Sequence, residues 1–235
     1  MRKEKIASEL IKIAEMLVTA QDFDEEEWEE EWKEAGWEDM EKAREWYNAD
    51  WVGPEVTLDW YNAGWDDPTE AGAWYDNGWE NPLKALEWRN AGWEDPLDAF
   101  VWNREGWRDP EEAFDWYKVG WEFPEVARDW NSAGWRAEEA IIWYREGWHE
   151  PVFAKDWYEA DWGAEDAGYW RSEGWSDVAE ANEWRDAGWE DPKEAREWYD
   201  AGWEDPEEAR EWYDAGWEDP KVAFKRYKRG ESKER

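Results

Sequence analysis

Fourteen tryptophans recur along this chain at intervals of 14 residues eleven times and 13 residues twice: Trp37, Trp51, Trp65, Trp79, Trp93, Trp107, Trp121, Trp135, Trp148, Trp162, Trp175, Trp189, Trp203 and Trp217. A second tryptophan stands five residues before each of them, from Trp32 to Trp212, and Trp28 alone lies outside the two sets. Self-similarity at a fixed short period marks a repeat architecture, in which a unit buries its apolar face on its neighbours.

The stretch from Asp191 to Trp203 shows how one unit folds. Asp191 suits the N-cap, where its carboxylate accepts hydrogen bonds from the first unpaired amides. Pro192 suits the first helical position, which needs no amide proton. Glu194 completes a capping box. Gly202 suits the left-handed residue past the helix end, and Trp203 then folds back on the last turn. All ten prolines take the same first-turn slot. Gly precedes the recurring tryptophan in twelve of fourteen cases, with Asp50 and Asp161 as the exceptions. Asp is among the few other residues that tolerate the left-handed conformation. Each unit is therefore a helix of about ten residues and a short turn, as its caps delimit it.

Ala195, Trp198, Tyr199 and Gly202 fall on one helical face. The residue three before the helix tryptophan is Ala in twelve of fourteen units, small enough for neighbouring helices to close around the indoles. A helix this short is marginal alone in water, so the units must stack. The pattern predicts an all-α fold: an elongated α-solenoid of about fifteen short helices, the first near 24–35 and the last near 220–229. Short turns favour antiparallel neighbours, hence two helices per layer. An alternation supports this: two residues before the helix tryptophan stand Leu58, Leu86, Phe114 and Ile141 in one set of helices. The other set has Arg44, Gly72, Phe100, Arg128 and Lys155. The first four form a candidate partner-binding seam; the bland alternative is that they thicken the inner layer.

The expected domains are an N-terminal amphipathic capping helix over 1–22, a Trp-rich solenoid over 23–223 and a basic C-terminal cap and tail over 224–235. Ile6, Leu10, Ile13, Leu17 and Val18 line the apolar side of the first. Arg226 and Glu231 stand where the last unit should have its two tryptophans, so the repeat ends there and a monomer is expected. Residues 134–181 are the least regular, with both 13-residue units and three turns lacking proline. Drift in a tolerant repeat explains them, and so would a local change of curvature that forms a binding surface.

Charge narrows the partners. Of 65 acidic and 28 basic residues, residues 21–223 hold 60 and 18. Such a body repels nucleic acid and attracts a basic protein or peptide. No disulfide is possible without cysteine. Glu9, Lys12 and Glu15 interrupt the apolar face of the N-terminus, so neither a signal peptide nor a membrane span is expected. A cytoplasmic or virion location follows as the default.

The usual chemistry is missing. One histidine and no cysteine leave no zinc site and no Cys-His or Ser-His-Asp nucleophile. Glycines come singly before tryptophans and form no phosphate loop. Carboxylate pairs such as Glu204-Asp205 and Glu207-Glu208 recur in unit after unit. They read as a solvated rim that favours helix N-termini, and they lack the spacing of a calcium loop. Aromatic residues could cage cations or stack on sugars or bases, but regular 14-residue spacing favours a core. We expect no enzyme activity, no cofactor, no metal and no membrane.

The pattern W-x-x-x-G-W-x-x-P-x-x-A, over about residues 24–230, resembles short helical repeats often written W…AGF…PEEA. These occur in uncharacterised bacterial, algal and viral proteins. The resemblance implies architecture and no activity. The opening KIASELIKIAEML also looks like the N-termini of some prokaryotic-virus proteins. The functional expectation is a non-enzymatic acidic scaffold for protein–protein interaction. Its alternatives are a polyanion mimic of DNA that inhibits a DNA-binding protein, and a structural or virion component.

Overall fold

The computed structural model describes residues 24–51 and 53–234. They contain fifteen α-helices and no strand. In chain order these are α1 Glu25–Glu34, α2 Met40–Tyr47, α3 Pro54–Asn62, α4 Pro68–Asp76, α5 Pro82–Asn90, α6 Pro96–Arg104, α7 Pro110–Val119 and α8 Pro124–Ser132. There follow α9 Ala137–Arg145, α10 Pro151–Glu159, α11 Ala164–Ser172, α12 Val178–Asp186, α13 Pro192–Asp200, α14 Pro206–Asp214 and α15 Pro220–Tyr227. The N-terminal capping helix expected over 1–22 lies outside the described residues.

The helix ends form as local chemistry dictates. Asp191 Oδ1 accepts from the amides of Lys193 and Glu194 at 2.9 and 3.4 Å. At the other end of α13 the Gly202 amide donates to the Tyr199 carbonyl and the Trp203 amide to the Trp198 carbonyl. That pair of bonds is a Schellman motif, and it places Gly202 at φ 104°. Asp50 and Asp161 hold the equivalent left-handed position at φ 61° and 63°. After α15 the same closure persists without tryptophan. The Glu231 amide donates to the Arg226 carbonyl at 3.1 Å, and the two side chains pair at 3.5 Å.

Contacts among the described residues gather into two compact units that divide between Phe114 and Asp115, inside α7. In the first, α1, α2 and α3 meet one another; α2 then meets α4, α3 meets α5 and α4 meets α6. In the second, α8 meets α9 and α10, α9 meets α11, α11 meets α13, α12 meets α14 and α13 meets α15. Each unit is thus a run of α-solenoid in which a helix packs on the second one along, as two-helix layers require.

All 29 tryptophans are buried, and the most exposed, Trp51, keeps only 8% of its surface. Their rings touch in sequence. Each helix tryptophan packs on the turn tryptophan five residues on, as Trp198 does on Trp203 with centroids 5.3 Å apart. Each turn tryptophan packs on the next helix tryptophan within the same unit, as Trp189 does on Trp198 at 5.7 Å. One zigzag of indoles runs from Trp28 to Trp107 and another from Trp116 to Trp217. The alanines three residues before the helix tryptophans, from Ala43 to Ala209, lie fully buried beneath them. Thr57 replaces alanine in α3 and satisfies its hydroxyl by donating to the Gly53 carbonyl at 2.6 Å.

Within each unit a hydrogen bond ties one layer to the next. The indole Nε1–H of Trp37, after α1, donates to the carbonyl of Pro54, the first residue of α3, at 2.9 Å. The same bond joins Trp51 to Pro68, Trp65 to Pro82, Trp79 to Pro96 and Trp93 to Pro110. In the second unit Trp175, Trp189 and Trp203 donate to Pro192, Pro206 and Pro220. A carbonyl has two lone pairs, so this acceptor also serves its own helix.

The short units keep the bond and lose a linker residue. Only Arg136 separates Trp135 from α9, and only Gly163 separates Trp162 from α11. Neither residue caps its helix through a side chain. Both helices keep nine residues, and the span from donor to acceptor falls from 17 to 16, as in Trp121 to Ala137 and Trp148 to Ala164. At Trp162 the indole donates instead to Asn182 Oδ1 at 2.6 Å.

Candidate interaction surface

The fifth residue of a helix, counted from its proline, meets the turn glycine and turn tryptophan of the helix two before it. That place is filled in two ways. Arg196 in α13 donates from Nε to Asp200 at 2.9 Å and from Nη1 to the Gly174 carbonyl at 3.1 Å. Its guanidinium stands 5.6 Å from the Trp175 ring centre and 4.9 Å from that of Tyr199. Arg210 repeats this on Gly188, Trp189, Tyr213 and Asp214. Lys155 does likewise on Gly134, Trp135 and Tyr158. Elsewhere an apolar group covers the turn: Phe100 stands edge-on to Trp79, and Phe224 edge-on to Trp203.

The four seam residues occupy this same fifth position. Leu58 and Leu86 are half-buried against Gly36 and Gly64. Phe114 is half-buried against Gly92 and packs on Trp93 at 5.5 Å. Ile141 in the second unit is buried, with 7% of its surface exposed. The first three therefore work chiefly between layers. The apolar side chains most open to solvent are others: Leu83 and Val152, both second in their helices, at 66% and 69% exposed, and Ile142 at 58%. Leu97, second in α6, is exposed as well at 53%, while other helices carry Glu, Thr or Lys at that position.

Acidic side chains divide into those with a structural task and those without. Asp24, Asp39, Asp67, Asp95, Asp109, Asp177, Asp191, Asp205 and Asp219 cap helices. Glu180 and Glu194 accept from the phenols of Tyr199 and Tyr213, each at 3.0 Å, and Glu208 accepts from Tyr227. Those hydrogen bonds, foremost, hold the three phenols above the ordinary tyrosine range. Arg89 takes the tyrosine place in α5 and grips Glu70 with two bonds of 2.8 Å. The residue directly after the turn tryptophan has no such task. Glu38, Asp66, Glu80, Glu94 and Glu122 are exposed, as are Glu190, Glu204 and Glu218. None of them serves a cap or an ion pair among the described residues.

Grooves recur with the layers of the first unit. One of about 560 Å³ lies between the end of α5 and the start of α7, lined by Glu87, Asn90, Arg108, Asp109 and Glu111. Its counterpart 28 residues earlier, of about 360 Å³, is lined by Asp59, Asn62, Glu80, Asn81 and Leu83. A third, also of about 360 Å³, opens over Trp51 beside Asp50, Gly72, Tyr75 and Asp76. His149, exposed, stands edge-on to Tyr144 at 5.5 Å. Among the described residues no group of three or more His, Asp or Glu is placed to hold a metal ion. Nor is any helix among them long and apolar enough to cross a membrane. No family model, curated protein or solved structure matches the chain.

Proposed function

We propose that this protein is a non-enzymatic acidic helical-repeat scaffold whose partner is a basic protein or peptide. The observation that carries the reading is the row of exposed carboxylates after the turn tryptophans, one per repeat at eight of the turns. The fold does not employ them, yet within each unit the stacked helices place them at equivalent positions of the repeat. Charges so arranged attract a cationic partner over a distance of about a Debye length and set its register more than its affinity. One of these carboxylates, Glu80, lines a groove with Asn62, Asn81 and Leu83, and the groove one layer on carries Arg108 in its place, a difference that a sequence-selective partner can read.

The test is titration of an arginine- and lysine-rich peptide into the wild-type protein and into a variant with Glu190, Glu204 and Glu218 all changed to Gln. Binding that weakens steeply with salt and falls in the variant supports the scaffold. A control variant removes three acidic side chains that cap helices. Absence of binding at low salt, or equal loss in both variants, would remove it.

A further inference from the structure

Gly72 stands where Arg196 and Arg210 stand in their helices, and everything around it matches. Trp51, Tyr75 and Asp76 correspond to Trp175, Tyr199 and Asp200, and the Asp50 carbonyl corresponds to that of Gly174. In α13 and α14 these four groups hold a guanidinium, which lies against two aromatic rings, pairs with a carboxylate and donates to the turn carbonyl. In α4 the arginine is absent, and a pocket of about 360 Å³ takes its place. Among the described residues no basic side chain lines that pocket, and Asp50 lines it as a second acidic residue beside Asp76.

Nothing in the backbone requires glycine there. Gly72 lies inside α4 and outside the left-handed region that the turn glycines occupy. A Cβ would sit 3.6 Å from Trp51 Nε1, an ordinary contact. Glycine inside a helix costs about 1 kcal/mol relative to alanine. At the other helical glycine in this position, Gly168, Arg171 of the same helix reaches over Trp148 with its guanidinium 4.9 Å from the ring centre. In α4 the matching residue is Tyr75, which walls the pocket instead.

The geometry points to the pocket over Trp51, between Asp50 and Asp76, as a receptor for the guanidinium of an arginine side chain supplied by a partner polypeptide. The partner completes from outside the arrangement that Arg196 and Arg210 complete from within. A planar guanidinium can stack on the indole and phenol while its edge bonds both the carboxylate and the carbonyl. Lys155, in the equivalent place of α10, reaches the two rings and the Gly134 carbonyl and makes no carboxylate bond among the described residues. For its partner this deepens the scaffold reading and rests on it.

The probe is N-acetyl-arginine amide, followed through the Trp51 indole N–H resonance of the full chain, with the lysine and citrulline amides as comparators. The expected result is a saturable shift with arginine, weaker with lysine and absent with the uncharged citrulline. Asp76→Asn should weaken it roughly two- to fivefold, the range for one exposed ion pair. Gly72→Arg should abolish it and raise the thermal midpoint. Gly72→Leu, which copies Leu58 and Leu86, should abolish it should the arginine variant fold poorly. An arginine response no larger than that of lysine or citrulline overturns the assignment, as does one that survives a folded Gly72→Leu protein. A basic peptide that binds Gly72→Arg undiminished, when arginine amide leaves Trp51 unmoved, removes the pocket and leaves the acidic scaffold standing. The reverse pair of results keeps the pocket and removes the scaffold.

Discussion

The indole N–H of Trp175 donates to the carbonyl oxygen of Pro192 across 3.0 Å, from the turn after α11 to the first residue of α13. Repeated down each unit, this one bond converts a row of short helices into stacked layers. It also explains why tryptophan, and no other large aromatic residue, fills the turns after α1 to α14: phenylalanine has no donor, and tyrosine carries its donor at the far end of the ring.

Replacing Trp135 and Trp157 separately with Phe isolates that bond. Trp135 donates to Pro151 at 2.9 Å, whereas the buried Nε1 of Trp157 has no hydrogen-bond partner among the described residues. Both changes leave a similar cavity. Trp135→Phe should be the more destabilising by about 1 kcal/mol in denaturant titration, since a net hydrogen bond is lost at one site and an unmet donor removed at the other.

The turn glycines separate backbone strain from crowding. Gly202 and Gly216 have φ of 104° and 90°. A Cβ on Gly202 would come within 2.9 Å of the Phe224 ring, whereas one on Gly216 would meet nothing within 4 Å. Gly216→Ala should cost about 1–2 kcal/mol, the penalty of a left-handed alanine. Gly202→Ala should cost more, because Phe224 is held against Trp203 and must move. Thermal midpoints of the two variants make the comparison.

Small residues beneath the indoles are fixed by space. Ala181, fully buried in α12, should tolerate Leu poorly, with a loss of about 1–3 kcal/mol from overpacking. A gain in the urea midpoint of Ala181→Leu would show that the helices are not closed around that position.

Tyrosine titration gives a pH signature. The phenols of Tyr199, Tyr213 and Tyr227 are held above their ordinary range by hydrogen bonds to Glu180, Glu194 and Glu208. A raised phenol favours its protonated form in the folded state. Its contribution is therefore complete below the unfolded value near 10 and is lost as pH rises through the folded value. Stability should decline in that alkaline window. In Glu180→Gln the Tyr199 absorbance should titrate at lower pH than in wild type.

The repeat length, the helix limits and the pairing of helices two apart were legible because each depends on local chemistry. Asp-Pro starts a helix and Gly-Trp ends one, whatever packs around them. The stitch from Trp175 to Pro192 was hidden because its acceptor is a backbone carbonyl. Ala137 and Ala164 serve as well as proline, so no side chain announces the bond. The fifth helical position was legible only in part. Leu58, Leu86, Phe114 and Ile141 stood out as apolar, yet Arg196 and Lys155 perform the same covering task with charge, and both chemistries suit an indole face. Gly72 gave no sign of its pocket, since the arginines that define the vacancy lie in other repeats.

Hydrogen exchange at the indole nitrogens tests the layered stack most directly. The resonances of Trp135, Trp175, Trp189 and Trp203 should exchange slowly in the native protein, and lose protection only when the unit that holds them unfolds. Exchange of these indoles at the rate of free tryptophan, while the helical amides around them stay protected, would contradict the buried and bonded interior described above.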